Sequence, residues 1–235
     1  GNAYVADTGN NRAVKLPVGG GAQVVLGFAS LVSPRGVAVD GAGNVFVTAT
    51  GNDRVLKLPA AGGLQVDIPF NGIDGPFGIA VDATGNIYFS DASNNRVLKV
   101  SAGGGTQSTL GFTGLSSPRG LAVDGSGNVY VADTGNNRIV KLPAGGGAQT
   151  TLGFTGLVGP HGVAVDGSGN VYVTDNNVLW KLPAGGGPQV NLNFGNLINP
   201  GKVAVDGAGT VYATSISNQV VIKKTFEGTG PQSQV

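Results

Sequence analysis

The chain lacks cysteine and methionine, and its 235 residues include a single histidine and a single tryptophan. Without cysteine there is neither a disulfide framework nor a thiolate metal site, so packing alone must hold the fold and the redox compartment stays open. Without methionine the chain does not carry its own start. It is expected to be a processed product or a domain of something longer, and Gly1 opens in the middle of a repeat unit. Charged residues make up only 11% and balance to a net charge of +1. No overall field therefore draws the chain to nucleic acid or to an anionic membrane surface. No apolar run approaches the roughly 18 to 20 residues that a spanning helix needs. No signal-peptide pattern opens the chain, and no segment carries the periodicity of a helix.

Glycine is abundant, at 43 residues, yet it lacks the three-residue period of collagen. It belongs instead to a long repeat. Gly1, Gly43, Gly85, Gly127 and Gly169 are each 42 residues apart, and Gly209 follows after 40. Pro34, Pro76, Pro118, Pro160 and Pro200 keep the same spacing. Six units therefore start near residues 1, 43, 85, 127, 169 and 209, the first without its opening segment.

Within a unit the residues alternate with period two and are punctuated by Gly, Pro and Asn. In the fourth copy the strands read "GLAVD", "NVYVAD", "RIVKL" and "QTTLGF" (Gly120 to Phe154), joined by "GSG", "TGNN" and "PAGGGA". A four-stranded sheet cannot bury both faces alone, whereas six packed face to face around an axis can. The expectation is an all-β, six-bladed β-propeller occupying residues 1–235 as one domain, with the first blade lacking its inner strand. The small-residue strand "GVAVD" should lie innermost. Phe28, Phe70, Phe112, Phe154 and Phe194, at the ends of fourth strands, should fill the spaces between blades.

Units such as "GNVYVADTGNNRIVKL" resemble NHL repeats over essentially the whole chain. The phrasing "VLGFTGL…P.GVAVDGSGNVYV" is similar to the extracellular sensor domains of mycobacterial membrane-anchored serine/threonine protein kinases. That resemblance implies an extracytoplasmic module capturing a ligand or partner for a tethered kinase. The fold by itself hosts binding modules and enzymes alike.

Letters repeated in every unit are explained by the unit. Asp40, Asp82, Asp124, Asp166 and Asp206 precede glycine turns and are placed to accept bonds from turn amides. Their context lacks the ligand spacing of a calcium loop. Asp7, Asp91, Asp133 and Asp175 close second strands. Arg12, Arg54, Arg96 and Arg138 open third strands, so an ion pair across each hairpin is expected. Lys15, Lys57, Lys99, Lys141 and Lys181 read as solvated edge positions. The glycine-rich "PAGGGAQ" precedes a strand rather than a helix, which removes the phosphate-cradle reading.

The unrepeated letters gather on one segment. After the proline of each Pro-x-Gly stand Arg35, Phe77, Arg119, His161 and Gly201, and Lys202 replaces the last unit's glycine. First strands begin on the face where second strands end, so these positions are expected to share a rim with the "TGNN" turns, around the channel. Asp74 in "IDGPFG" belongs to the same rim. The fifth unit, "TDNNVLWKL", lacks two turn residues and the arginine, leaving Asp175 without its usual partner. In the second unit Ala49 replaces the aspartate, which leaves Arg54 unpaired. Trp180 lies inside a strand pattern and is read as packing.

Arg35, Phe77, Arg119, His161, Lys202, Asp175 and Asp74 are therefore the candidate ligand-binding set. Arg, Lys and His beside an opening suit a small anionic ligand, carboxylate or phosphate, or an acidic partner loop. No cofactor, metal, nucleic acid or membrane contact is expected. Peptide-amidating lyases, similar in fold, hold zinc with several histidines, and this chain has one. Streptogramin-type lyases use histidine with a glutamate-held magnesium, and here the only glutamate is Glu227 in the tail. A lyase or hydrolase using His161 at this rim stands as the alternative, although no carboxylate is identified to orient it and no Gly-x-Ser-x-Gly context occurs. A secreted scaffold or adhesion protein is a further alternative. RNA binding would call for a broader basic and aromatic face.

Overall fold

The structure, a computed structural model, describes residues 1–226 and the backbone of Ser233–Gln234. Glu227 lies outside the described residues. Six antiparallel sheets follow one another along the chain, each with its strands in sequence order. Their contacts divide the chain into two compact units, residues 1–118 and 119–235.

In the first unit, blade 1 is three-stranded (Ala3–Asp7, Arg12–Leu16, Val24–Val25), as expected. Blade 2 comprises Pro34–Val39, Val45–Ala49, Arg54–Leu58 and Val66–Asp67. Blade 3 comprises Pro76–Val81, Ile87–Asp91, Arg96–Val100 and Gln107–Thr109. In the second unit, except for Pro118, blade 4 comprises Pro118–Val123, Val129–Asp133, Arg138–Leu142 and Thr150–Thr151. Blade 5 comprises Gly162–Val165, Val171–Asp175, Val178–Leu182 and Val190–Asn191. Blade 6 comprises Pro200–Val205, Val211–Ser215, Val220–Lys224 and Ser233–Gln234. The fold is all-β, a six-bladed β-propeller. Among the described residues no helix is long and apolar enough to cross a membrane.

The second strand of a blade has neighbours on both faces, which is why its sequence is almost wholly apolar. Every residue of Val45–Ala49, Ile87–Asp91, Val129–Asp133 and Val171–Asp175 is buried. The core lies between successive blades. Ala13 of blade 1 packs with Val45, Val47 and Leu56 of blade 2, and Phe28 closes the outer side of that cluster. Tyr130 and Ile139 of blade 4 meet Val163, Val171 and Val173 of blade 5, flanked by Phe154 and Trp180. Trp180 is thus part of the packing. Phe194 does the same between blades 5 and 6 and is 3% exposed.

First strands of neighbouring blades approach so closely that a Cβ at Gly162 would lie 2.8 Å from Thr174 Oγ1 and 2.9 Å from Gly201 O. A hydroxyl on the second strand bridges them. Thr174 Oγ1 accepts from Gly162 N at 2.8 Å and donates to Gly201 O at 2.9 Å. Thr48 does likewise between Gly36 N and Phe77 O, both at 2.8 Å. The small side chains of "GVAVD" are required by this crowding.

The turn aspartates act as their position suggests. Asp124 Oδ1 accepts from Ser126 N and Asn128 N, and Oδ2 accepts from Asn128 Nδ2 and the Tyr130 hydroxyl. The next glycine, Gly127, takes φ +82°, which closes the tight turn.

Two further repeated letters, unremarked in the sequence, join blade to blade. The second asparagine of "TGNN" accepts from the amide before the next blade's proline, as Asn11 does from Ser33 N and Asn137 from Gly159 N. A glutamine immediately before the fourth strand reaches back to the preceding blade's loop. Gln65 accepts from Ala29 N, and Gln189 accepts from Thr155 N while donating to Thr155 O.

Candidate functional site

The first strands of blades 2, 3, 4 and 6 start at a proline, whose missing N–H suits a strand's first residue, and in blade 5 Pro160 stands just ahead of the strand. The proline carbonyl accepts the hydroxyl of the preceding blade's "TGNN" threonine: Thr8 to Pro34 at 2.6 Å, Thr50 to Pro76 at 2.5 Å and Thr134 to Pro160 at 2.6 Å. The Pro-x-Gly segments and hairpin turns therefore share one end of the blades within each unit, as the strand order requires.

In the first unit that end carries Arg35, which is exposed, and Phe77, half-buried. The Arg35 guanidinium carbon lies 5.5 Å from the Phe77 ring centroid, a cation–π contact. Asp74 is exposed on the loop before Pro76, and its backbone N–H donates to Asp91 Oδ1 at 2.8 Å.

The second unit places Arg119, His161 and Lys202 on three successive first-strand starts. The backbones are in contact: a Cβ at Gly120 would meet His161 O and Gly162 Cα, and one at Gly162 would meet Gly201 O and Val203 N. Arg119 Nη1 and His161 Nε2 share a hydrogen bond. Because a guanidinium only donates, His161 Nε2 accepts, which fixes the neutral imidazole with its proton on Nδ1. Lys202 Nζ is buried, and its backbone N–H donates to Thr214 Oγ1 at 2.7 Å.

His161 also faces an open cleft of about 390 Å³. The cleft is lined by Asn176 and Asn177 from the shortened blade 5 turn, by Asn199 and Pro200 before blade 6, and by Val158 and Gly159. Full-length turns in blades 1, 2 and 4 spend their extra Thr-Gly on a one-turn 3-10 helix. Blade 5 omits it, and the cleft lies where the omission falls.

The ion pairs expected across hairpins are present in blades 1, 3 and 4: Asp7–Arg12 at 2.7 Å, Asp91–Arg96 at 2.6 Å and Asp133–Arg138 at 2.6 Å. Two departures need correction. Arg54 is not unpaired, since its Nη2 donates to both carboxylate oxygens of Asp67 at 2.5 and 2.6 Å. With Ala49 opposite, the guanidinium turns outward to the fourth strand. Asp175 is not without partners either. It is 4% exposed, accepts from Val158 N at 2.8 Å, and does not line the cleft. Burial pushes its pKa up, opposed by the Val158 amide and the Trp180 indole N–H.

The repeated lysines are likewise more than solvated edges. Lys99 lies 5.2 Å from the Tyr88 ring centroid, Lys141 5.1 Å from Tyr130 and Lys57 5.6 Å from Phe46. Each faces the aromatic residue directly opposite it in the strand register. The unrepeated Lys224 is committed to the outer side of blade 6, donating to Leu192 O and Asn193 O.

A model of the NHL repeat matches residues 115–142 and 157–178, and a model of a β-propeller repeat matches residues 26–55. Those residues carry NHL and β-propeller repeats within a six-bladed β-propeller. One chain in a crystal structure of a nidogen/laminin complex is similar to this propeller, with 23% identity, 95% of this chain and 89% of that chain covered, and a TM-score of 0.84. A streptogramin B lyase is 18% identical over 100% of this chain and 80% of its own, with a TM-score of 0.77. A catalytically inactive virginiamycin B lyase from Staphylococcus aureus, with quinupristin, is 14% identical over 100% and 80%, with a TM-score of 0.75. At these identities the likeness carries the fold alone. No curated protein matches the propeller in sequence. Among the described residues no three His, Cys, Asp or Glu side chains converge as a metal site would require.

Proposed function

We propose that this propeller is a recognition module without catalytic activity, binding an anionic group of a ligand or partner at the Pro-x-Gly end of its blades. The observation that carries the reading is the run of Arg119, His161 and Lys202 on adjoining first-strand starts, beside the cleft that His161 lines. Arg119 and Lys202 bring positive charge to neighbouring strand starts, and a carboxylate or phosphate accepts guanidinium bonds in the favourable planar geometry. The sensor-domain resemblance supports an extracytoplasmic setting, with the propeller tethered to a kinase or secreted.

Several propellers of similar fold are lyases, and His161 is the residue on which such an activity would rest here. Arg119 donates to Nε2, the lone pair a general base would use, and this favours binding over proton abstraction.

The test is calorimetric titration with inorganic phosphate and N-acetyl-aspartate. The wild-type chain should bind at least one of them. The Arg119→Ala/Lys202→Ala double variant should lose at least tenfold in affinity with an unfolding temperature close to wild type. A wild-type chain that ignores both anions, or a double variant that keeps full affinity, contradicts the proposal. Arg35→Ala, in a separate arm, reports whether the exposed Arg35–Phe77 pair contributes.

A further inference from the structure

We infer that the cleft beside His161 binds an extended acidic peptide segment, with the shortened blade 5 turn as the element that selects it. This rests on the anion-binding reading above and specifies its ligand.

Size argues first. Ligand pockets typically enclose roughly 300–1,000 Å³, and this cleft, at about 390 Å³, falls inside that range. A liquid water occupies about 30 Å³, so a bare phosphate, only a few waters in volume, would leave most of the cleft wet. The occupant needs a body as well as a charge.

The lining defines that body. His161 is the only ionisable residue in it; the rest is three asparagine amides, Gly159, and the apolar surfaces of Val158 and Pro200. Amides offer donor and acceptor together, which matches the alternating N–H and C=O of an extended backbone. Asn177 Oδ1 is held by Asn199 N at 2.8 Å, so its NH2 group is fixed in direction. Asn176 and Asn199 sit at φ 39° and 50°, left-handed conformations that asparagine tolerates better than most residues. Val158, 61% exposed, offers apolar surface to a neighbouring side chain. No aromatic ring lines the cleft, so a sugar or nucleobase would find no stacking face there. The positive charge comes from beside the cleft: Arg119 does not line it but is bonded to His161, which does.

Turn length is the selective device. Blades 1, 2 and 4 place a threonine at this point, with its hydroxyl on the next blade's proline carbonyl. Inserting Thr-Gly after Asp175 would rebuild that turn over the cleft.

The experiment passes two libraries of N-acetylated, C-amidated pentapeptides over the immobilised 235-residue chain. One has a fixed central Asp and the other a fixed central Asn, each with mixed neutral residues elsewhere; inorganic phosphate is titrated in parallel. The Asp library should be retained at least tenfold over the Asn library. The Thr-Gly insertion should lower that retention at least tenfold while phosphate affinity stays within twofold. Asn176→Gly, at an exposed position where glycine keeps the left-handed turn, should lower retention severalfold if the insertion fails to fold. Equal retention of the two libraries, or unchanged retention in both variants, overturns the inference. Phosphate binding lost in Arg119→Ala but no peptide retention overturns the peptide ligand and leaves the anion site standing. Absence of both phosphate and peptide binding overturns both.

Discussion

Carboxylates at two positions of the repeat carry opposite energetics. At Asp82, burial alone would raise the pKa, but bonds from Asn86, Thr84 and Tyr88 outweigh it and hold the group at about 2. Asp40, Asp124, Asp166 and Asp206 are lowered in the same way. A folded pKa below the unfolded value near 3.8 means stability that is present above that value and lost as pH falls toward 2. Asp175 has the reverse sign. Burial raises it, so its ionised form costs stability as pH rises through the folded pKa. Asp175→Asn keeps an acceptor for Val158 N–H and removes the charge. Its unfolding temperature should exceed wild type at pH 7, and the difference should shrink as pH falls to 4 and below. A difference that is negative, or independent of pH, contradicts this account of Asp175.

Among the elements, the first strands carry the tightest packing. Gly162→Ala drives a Cβ into Thr174 Oγ1, Gly201 O and Val203 N, all under 3.0 Å, with backbone on two sides. Urea unfolding should show a loss of about 2 kcal/mol, within the usual cost of overpacking. Gly167→Ala, on an open turn with nothing within 4 Å, should stay within about 0.5 kcal/mol of wild type. Equal effects at the two positions would refute the close approach. This crowding was legible as a strand of small residues, because a repeat exposes its own regularities. The partner of Arg54 was not, since it depends on how the third strand pairs with the fourth, where Leu56 faces Asp67. The lysine–aromatic stacking had a signal, Tyr or Phe on the second strand facing Lys on the third, but only the register makes it visible.

At the scale of the molecule, the 42-residue period was enough to read six blades, since each sheet needs a neighbour to cover its faces. The candidate site was legible only in part. Arg35, Phe77, Arg119, His161 and Lys202 stood out as uncopied letters. What they touch did not: the Arg119–His161 bond arises from adjoining strand starts far apart in sequence, and the cleft arises from two residues that are missing. Most repeated charges are matched locally, through Asp–Arg hairpins, turn amides and lysine–aromatic contacts, whereas Arg119, His161 and Lys202 occur once each and stand on adjoining strand starts. The central claim is that Arg119, His161 and Lys202 bind an anion. It is tested most directly by following backbone amide resonances while N-acetyl-aspartate is titrated into the isotopically labelled chain. Saturable shifts concentrated at residues 119–121, 159–163, 176–177 and 199–203 are the predicted result. No saturable shift, or shifts confined to the repeated lysines, would contradict it.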